Sequence, residues 1–265
     1  MSTPRALVIR TAGTNCDAEL CRAFELGGAS VELLHIDTLC ADPDRIAPFD
    51  LIGFPGGFSY GDDISSGRIL AMHVRQRLFP AMHEASKRGA AMIGICNGFQ
   101  VMVQAGLLPS PITHTESPPA ARVALGENAD GRFRDDWVRI EPNPESVCIW
   151  TQSLAQISNP DLLTLPIANG EGRFVVHDQH ILDELTVNHQ IALRYSDDIN
   201  GSVDRIAGIC DPTGRIFGLM PHPERAVDWT RYPSWTRLSD SIRSNPTPWF
   251  TMFADAIHAV KGIRA

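Results

Sequence analysis

Short aliphatic runs alternate with stretches of helical spacing along the first half of the chain. Ala6-Leu7-Val8-Ile9 is the first such run; it ends in the polar, Gly-containing Thr11-Ala12-Gly13-Thr14-Asn15, as a buried strand and its turn would. Asp17 to Leu26 has helical spacing and meets a stop signal at Gly27-Gly28. Val31 to Ile36 is expected to be a second strand and Asp50 to Phe54 a third, broken by Pro55-Gly56-Gly57. Ile69 to Lys87 has a helical pattern closing at Gly89, Ala90 to Ile95 is a fourth strand, and Phe99 to Ala105 continues as helix.

Strands alternating with helices predict an α/β fold: an open, mostly parallel sheet with helices on both faces. In such sheets ligands sit beyond the carboxyl ends of the strands. Pro55-Gly56-Gly57 and Cys96-Asn97-Gly98 both fall at strand carboxyl ends, which makes them candidates for one site. The second half is less regular. Pro109 to Asp136 is rich in Pro, charge and small residues and is expected to be a loop or excursion. Val203 to Ile209 and Arg215 to Met220 flank Asp211-Pro212-Thr213-Gly214, a hairpin signal. The domain is drawn as 5–227, followed by a Trp-containing extension, 228–265, packing on it. Near its end Thr247 can cap a helix, Pro248 suits the first helical position, and Trp249, Phe250, Phe253, Ile257 and Val260 form an apolar stripe.

Composition narrows the classes. The 265 residues are 43% hydrophobic and 20% charged, ordinary for a globular protein, and the formal net charge of −8 gives no reason to expect a nucleic-acid partner. No apolar run reaches the length of a membrane span, and Met1 to Pro4 leads directly into the first strand, with no room for a signal-peptide core. A cytoplasmic location follows as an expectation. The six cysteines are scattered without a Cys-x-x-Cys pair, so free thiols are expected rather than disulfides or a structural zinc site.

Gly94-Ile95-Cys96-Asn97-Gly98 follows an apolar strand and precedes a helix, the context of a nucleophile elbow with Cys in place of Ser. A helix N-terminus at the sulfur favours the reactive thiolate. A merely buried cysteine would suit Cys148 and Cys210 but leave the glycines around Cys96 without purpose. Cysteine chemistry needs a base and a group that orients it. His222, in Met220-Pro221-His222-Pro223-Glu224-Arg225, follows an apolar strand, and in an extended segment Glu224 shares its face. His114, His177, His180 and His189 lie in polar stretches and rank lower as bases; His177-Asp178-Gln179-His180 is the one local metal candidate, and no metal is expected. Two backbone N–H groups should stabilise the oxyanion, one from Asn97 and one from the Gly57-Phe58 turn.

With these residues assembled, Gly94 to Gln100 and Pro221-His222-Pro223-Glu224 resemble class I (triad-type, flavodoxin-like) glutamine amidotransferases, and more finely the glutaminase subunits of phosphoribosylformylglycinamidine synthase. The finer resemblance rests on Gly13 to Asp17, the highly specific Gly53 to Asp63, Pro166 to Gly172, Asn200-Gly201-Ser202, Ile206 to Cys210 and Met220 to Ala226. It implies a glutamyl thioester on Cys96, proton transfers by His222, orientation by Glu224 and a grip on glutamine by Gln100. It also implies a synthetase partner that handles ATP and Mg and converts formylglycinamide ribonucleotide to formylglycinamidine ribonucleotide, and leaves open a small third subunit. No cofactor is expected in this chain, which has no Gly-x-x-x-x-Gly-Lys-[Ser/Thr] loop. Asn169 departs from the pattern, since the family usually has His there. The competing readings are an amidotransferase feeding another synthetase, a non-catalytic relative and a cysteine peptidase. The 53–63 stretch argues against the first, and with Gln100 discriminates against the peptidase; the intact Cys96, His222 and Glu224 argue against the non-catalytic relative.

Overall fold

The computed structural model describes residues 3–110 and 118–261. Among the described residues eleven strands form: β1 (Arg5–Arg10), β2 (Ser30–His35), β3 (Leu51–Phe54), β4 (Ala91–Ile95), β5 (Val123–Gly126), β6 (Arg134–Pro142), β7 (Thr164–Asn169), β8 (Arg173–Val176), β9 (Ile191–Tyr195), β10 (Ile206–Cys210) and β11 (Ile216–Leu219). The α-helices are α1 (Asp17–Leu26), α2 (Ile36–Ala41), α3 (Arg68–His73), α4 (Phe79–Lys87), α5 (Asn97–Ala105), α6 (Gln179–Val187), α7 (Asp240–Arg243) and α8 (Pro248–Val260).

Nine strands make one sheet in the order β2-β1-β3-β4-β11-β10-β9-β6-β7, and β5 pairs with β8 in a separate ribbon. The pairs from β2 to β11 are parallel and those from β11 to β7 antiparallel, so only β10 and β6 run against the common direction. The parallel strands β3, β4 and β11 are buried at every residue, as strands covered on both faces must be. Right-handed crossovers explain the covering: the chain leaves β1 for β2 in one direction and returns past it to β3 and β4, which puts α1 opposite α2, α3 and α4. The direction reverses between β1 and β3, and the loops after those strands meet in an isolated bridge between Thr14 and Gly57.

Two stretches depart from the sequence expectation. The helical run from Ile69 to Lys87 is interrupted by a π-helical turn at Val74–Leu78 before α4 begins. Pro80 accounts for it: a proline inside the run has no N–H for the preceding turn, and a wider turn absorbs the break. Within 109–136, expected to be loop, β5 forms and β6 begins, because the polar sequence there pairs as ribbon and sheet margin rather than as a buried strand. The 203–220 hairpin holds: the Asp211 carboxylate accepts from the backbone of Thr213, Arg215 and Ile216, and so fixes the turn.

The last helix closes the α1 face. Thr247 Oγ1 accepts from the Phe250 N–H at 3.0 Å, and Trp249, Phe253, Ile257 and Val260 are buried while Phe250 is half-buried. Phe253 meets Phe24 of α1 edge-on at 5.7 Å and Trp150 at 6.3 Å. Gly27 leaves room for Ile257, whose Cδ1 a Cβ there would strike.

Candidate active site

Cys96 is the single residue between β4 and α5, so the chain must reverse direction within it. It does so at φ 52° and ψ −108°, a sparsely populated conformation for a residue with a side chain and one that costs about 1–3 kcal/mol. The surroundings hold it there. Its N–H donates to Leu219 O of β11 at 2.8 Å, and its carbonyl accepts from Gln100 N in the first turn of α5. The flanking glycines are required by close approach: a Cβ on Gly98 would overlap the Phe54 carbonyl, and one on Gly94 would overlap the Met102 sulfur. The Cys96 sulfur lies over the start of α5, and its hydrogen-bond contact is long, 3.8 Å to Ala168 O at the end of β7.

His222 leaves β11, paired directly with β4, so the candidate base and the candidate nucleophile come from neighbouring strand ends. Its N–H donates to Pro166 O at 2.9 Å, which ties it to the β7 segment. Its Nδ1 is 2.7 Å from Glu224 Oε1, and both residues are 2% exposed. Burial alone would push the imidazole pKa down. The Glu224 charge outweighs it, aided by the Cys96 and Cys16 sulfurs, and holds the ring well above its ordinary value. The pair therefore favours the imidazolium form of His222.

Gly56 lies against this pair; a Cβ there would come within 2.7 Å of His222 Cε1 and 3.2 Å of Cys16 Sγ. At the neighbouring turn the oxyanion expectation is narrowed. The Phe58 N–H already donates to Gly13 O at 2.9 Å, and Phe58 is 45% exposed. That bond and the one from Asn15 N to Gly56 O leave the Gly57 amide unpaired with Thr14 across the bridge. The Phe58 N–H is thus committed to Gly13 O, while the Gly57 amide, in the wall of the cavity at Cys96, makes no bond across the bridge.

A cavity of about 180 Å³ opens on Cys96, lined also by Gly57, Asp62, Gln100, Asn169 and Glu171. Gln100 is buried and held at both ends: Nε2 donates to Glu171 O at 2.5 Å, and Oε1 accepts from Asn97 Nδ2 at 3.2 Å. It joins α5 to the loop between β7 and β8. Asp62, Ser66 and Glu171 were not singled out from the sequence. Glu171 sits between Gly170 and Gly172 after an apolar strand, a placement that could have drawn attention.

The other candidates fall away from the site. His177, His180 and His189 are exposed, and His114 lies outside the described residues. Cys16, His222 and Glu224 offer donor atoms within 4.8 Å of one another, an arrangement of three potential metal ligands. However, the Arg225 guanidinium donates to Cys16 Sγ at 3.1 Å, and a fixed cation there opposes a second one.

Residues 3–259 match the CobB/CobQ-like glutamine amidotransferase domain. The chain is 40% identical over 242 residues to phosphoribosylformylglycinamidine synthase subunit PurQ of Dehalococcoides mccartyi, covering 89% of this chain and 90% of the relative. It is 41% identical over 254 residues to the subunit of that name from Methanococcus maripaludis, covering 91% and 89%. Among solved structures, PurLQS from Thermotoga maritima contains a chain that superposes with a TM-score of 0.73 at 31% identity, covering 98% of this chain and all of that one. The chain belongs to the CobB/CobQ-like glutamine amidotransferases and, among them, to the family of PurQ subunits.

Proposed function

We propose that this chain releases ammonia from glutamine through a Cys96–His222–Glu224 triad and passes it to a synthetase subunit, which converts formylglycinamide ribonucleotide to formylglycinamidine ribonucleotide in purine biosynthesis. The observation that carries the chemistry is the strained Cys96 elbow next to a buried His222–Glu224 pair 2.7 Å apart. The kinship to PurQ subunits and to a chain of PurLQS supports the partner, with a small third subunit included.

The thiolate of Cys96 attacks the glutamine carboxamide carbon, and the carbonyl π pair moves onto oxygen. Asn97 and Gly57 N–H groups stabilise that oxyanion. As the C–N bond breaks, His222 gives its proton to the departing nitrogen and ammonia leaves, with a glutamyl thioester on Cys96. His222, now neutral, takes a proton from water; hydroxide attacks the thioester, and glutamate leaves as the Cys96 thiolate re-forms beside the imidazolium. Glu224 holds the Nδ1–H tautomer throughout. ATP and Mg act on the synthetase subunit, and the complex is cytoplasmic. Among the described residues no helix is long and apolar enough to cross a membrane.

Intact-mass analysis after treatment with 6-diazo-5-oxo-L-norleucine tests the assignment. One adduct, mapped to Cys96 and blocked by excess glutamine, is expected. An adduct on another cysteine would remove Cys96 from the role.

A further inference from the structure

Three turns at the carboxyl ends of the parallel strands are tied together behind His222. The turn after β1 holds the turn after β3 through the backbone: Phe58 N–H donates to Gly13 O at 2.9 Å, Tyr60 N–H to Ala12 O at 2.8 Å, and Cys16 N–H to Gly56 O at 3.2 Å. The Cys16 side chain continues the line to the third turn, the one after β11. Its sulfur lies 3.9 Å from His222 Nδ1 and is buried, and a Cβ on Gly56 would crowd both residues.

Arg225 closes the arrangement from the other side. It belongs to the 3-10 turn Pro223–Arg225 that also carries Glu224, and its half-buried guanidinium donates to Cys16 Sγ at 3.1 Å. A guanidinium ordinarily seeks a carboxylate, which matches its planar fork. Here Glu224 and Glu19 act on it through their charge, and the hydrogen bond goes to a sulfur. Glu224 is itself fixed at one end: Oε1 is 2.7 Å from His222 Nδ1, and Oε2 is buried without a hydrogen-bond partner. Its aim on the imidazole therefore depends on the turn that bears it, and Arg225 pins that turn to the start of α1.

We infer that Arg225 and Cys16 act together as positioning residues for the His222–Glu224 pair: the guanidinium, seated on the Cys16 sulfur, locks the turn bearing Glu224 against the start of α1 and holds the imidazole in register with the Gly56-Gly57 turn. This rests on the triad reading of Cys96, His222 and Glu224. Neither Arg225 nor Cys16 is in the wall of the cavity at Cys96, so the brace acts on turnover and leaves substrate affinity alone.

The charged and titratable groups facing His222 are Glu224 from its own turn, Cys96 from the start of α5 and Cys16 from the start of α1, with Arg225 behind Cys16. Two effects of deleting Arg225 thus have opposite signs. Loss of a cation near the ring would raise the imidazole pKa; loosening Glu224 and Cys16, which both raise it, lowers it.

Steady-state kinetics of the full chain with its synthetase subunit tests the brace. Cys16→Ala, Arg225→Met and the double variant should each lower kcat for glutamine-dependent glutamate formation by roughly three- to tenfold and leave KM within about twofold. The double variant should match the larger single loss within about twofold, because either substitution removes the same contact. The alkaline limb of kcat should move to lower pH in both single variants. Losses that multiply, a change carried by KM, or a limb that stays or moves up in Arg225→Met overturns the brace. Should Arg225→Met fail to fold, Cys16→Ala decides alone, and an unchanged kcat or an unmoved limb there overturns it. Glutamate formation that persists in Cys96→Ala would instead overturn the triad reading, and the brace with it.

Discussion

Cys96 and Cys16 each end a turn that follows a parallel strand, each starts a helix, and each has its sulfur near His222. They differ in how they are held. Between β1 and α1 the turn is spread over Thr11 to Asn15, so Cys16 keeps an ordinary φ of −107°. Between β4 and α5 there is only Cys96, and its backbone takes the whole reversal at φ 52°. The sulfurs differ as well. Cys16 Sγ accepts from Arg225 at 3.1 Å, donates to Asn15 Oδ1 at 3.2 Å, and approaches His222 from the Nδ1 edge that Glu224 already occupies. Cys96 has the long contact to Ala168 O and opens on the cavity. Proximity to an imidazole is shared and so does not make a nucleophile. An uncommitted sulfur on a backbone forced outward is what sets the proposed nucleophile, Cys96, apart.

The comparison breaks most easily at the two thiols. Cys96→Ala should lower glutamine-dependent glutamate formation by at least roughly 10⁴-fold. Cys16→Ala should lower it by less than about tenfold, a loss confined to His222 positioning. Ammonia-driven synthesis by the assembled complex should survive both, and equal losses in the glutamine assay would erase the distinction. Next in size, Glu224→Gln should reduce kcat/KM by about 10²- to 10⁴-fold. It should also move the alkaline limb of the pH profile. The His222 pKa is raised in the folded protein, so its imidazolium persists above the ordinary histidine range and is lost as pH rises through the raised value. Without the Glu224 charge that loss should come at lower pH; an unmoved limb would assign the elevation to the sulfurs.

Smaller effects should appear in stability. Gly98→Ala forces a Cβ into the Phe54 carbonyl and should cost about 1–3 kcal/mol in denaturant unfolding, together with activity, because the elbow moves. An alanine at Thr247 removes the α8 cap and should cost about 1 kcal/mol while leaving glutaminase kinetics unchanged. A kinetic effect of that substitution would mean that the α1 face tunes Cys16 from behind.

Most of what carries chemistry was legible because it is local. The elbow glycines lie next to Cys96 and Glu224 lies next but one to His222, though the His222–Glu224 contact is made across a 3-10 turn at Pro223–Arg225 and not in the extended segment the spacing suggests. Gln100 was also placed in the cavity wall, but its amide is used to bind the Glu171 carbonyl, which no spacing could announce. Asp62 and Glu171 meet only through Ser66, across segments far apart in the chain, and their joint charge is a property of the fold alone. The same holds for Phe58, whose N–H is taken by Gly13 from the loop after a different strand. The strands β6 and β8 escape the sequence reading because a partly exposed margin has a weaker pattern than a strand buried on both faces.

The pairing of β4 with β11 also governs when the protein acquires its chemistry. The thiol-bearing strand is made first, and the strand that delivers His222 follows it only much later in the sequence. Until residues 216–225 have left the ribosome and found β4, Cys96 has neither its base nor the Leu219 carbonyl that anchors its turn. On the proposed triad, a growing polypeptide has no base for its thiol until the long-range pairing, the slow part of folding such a topology, is complete.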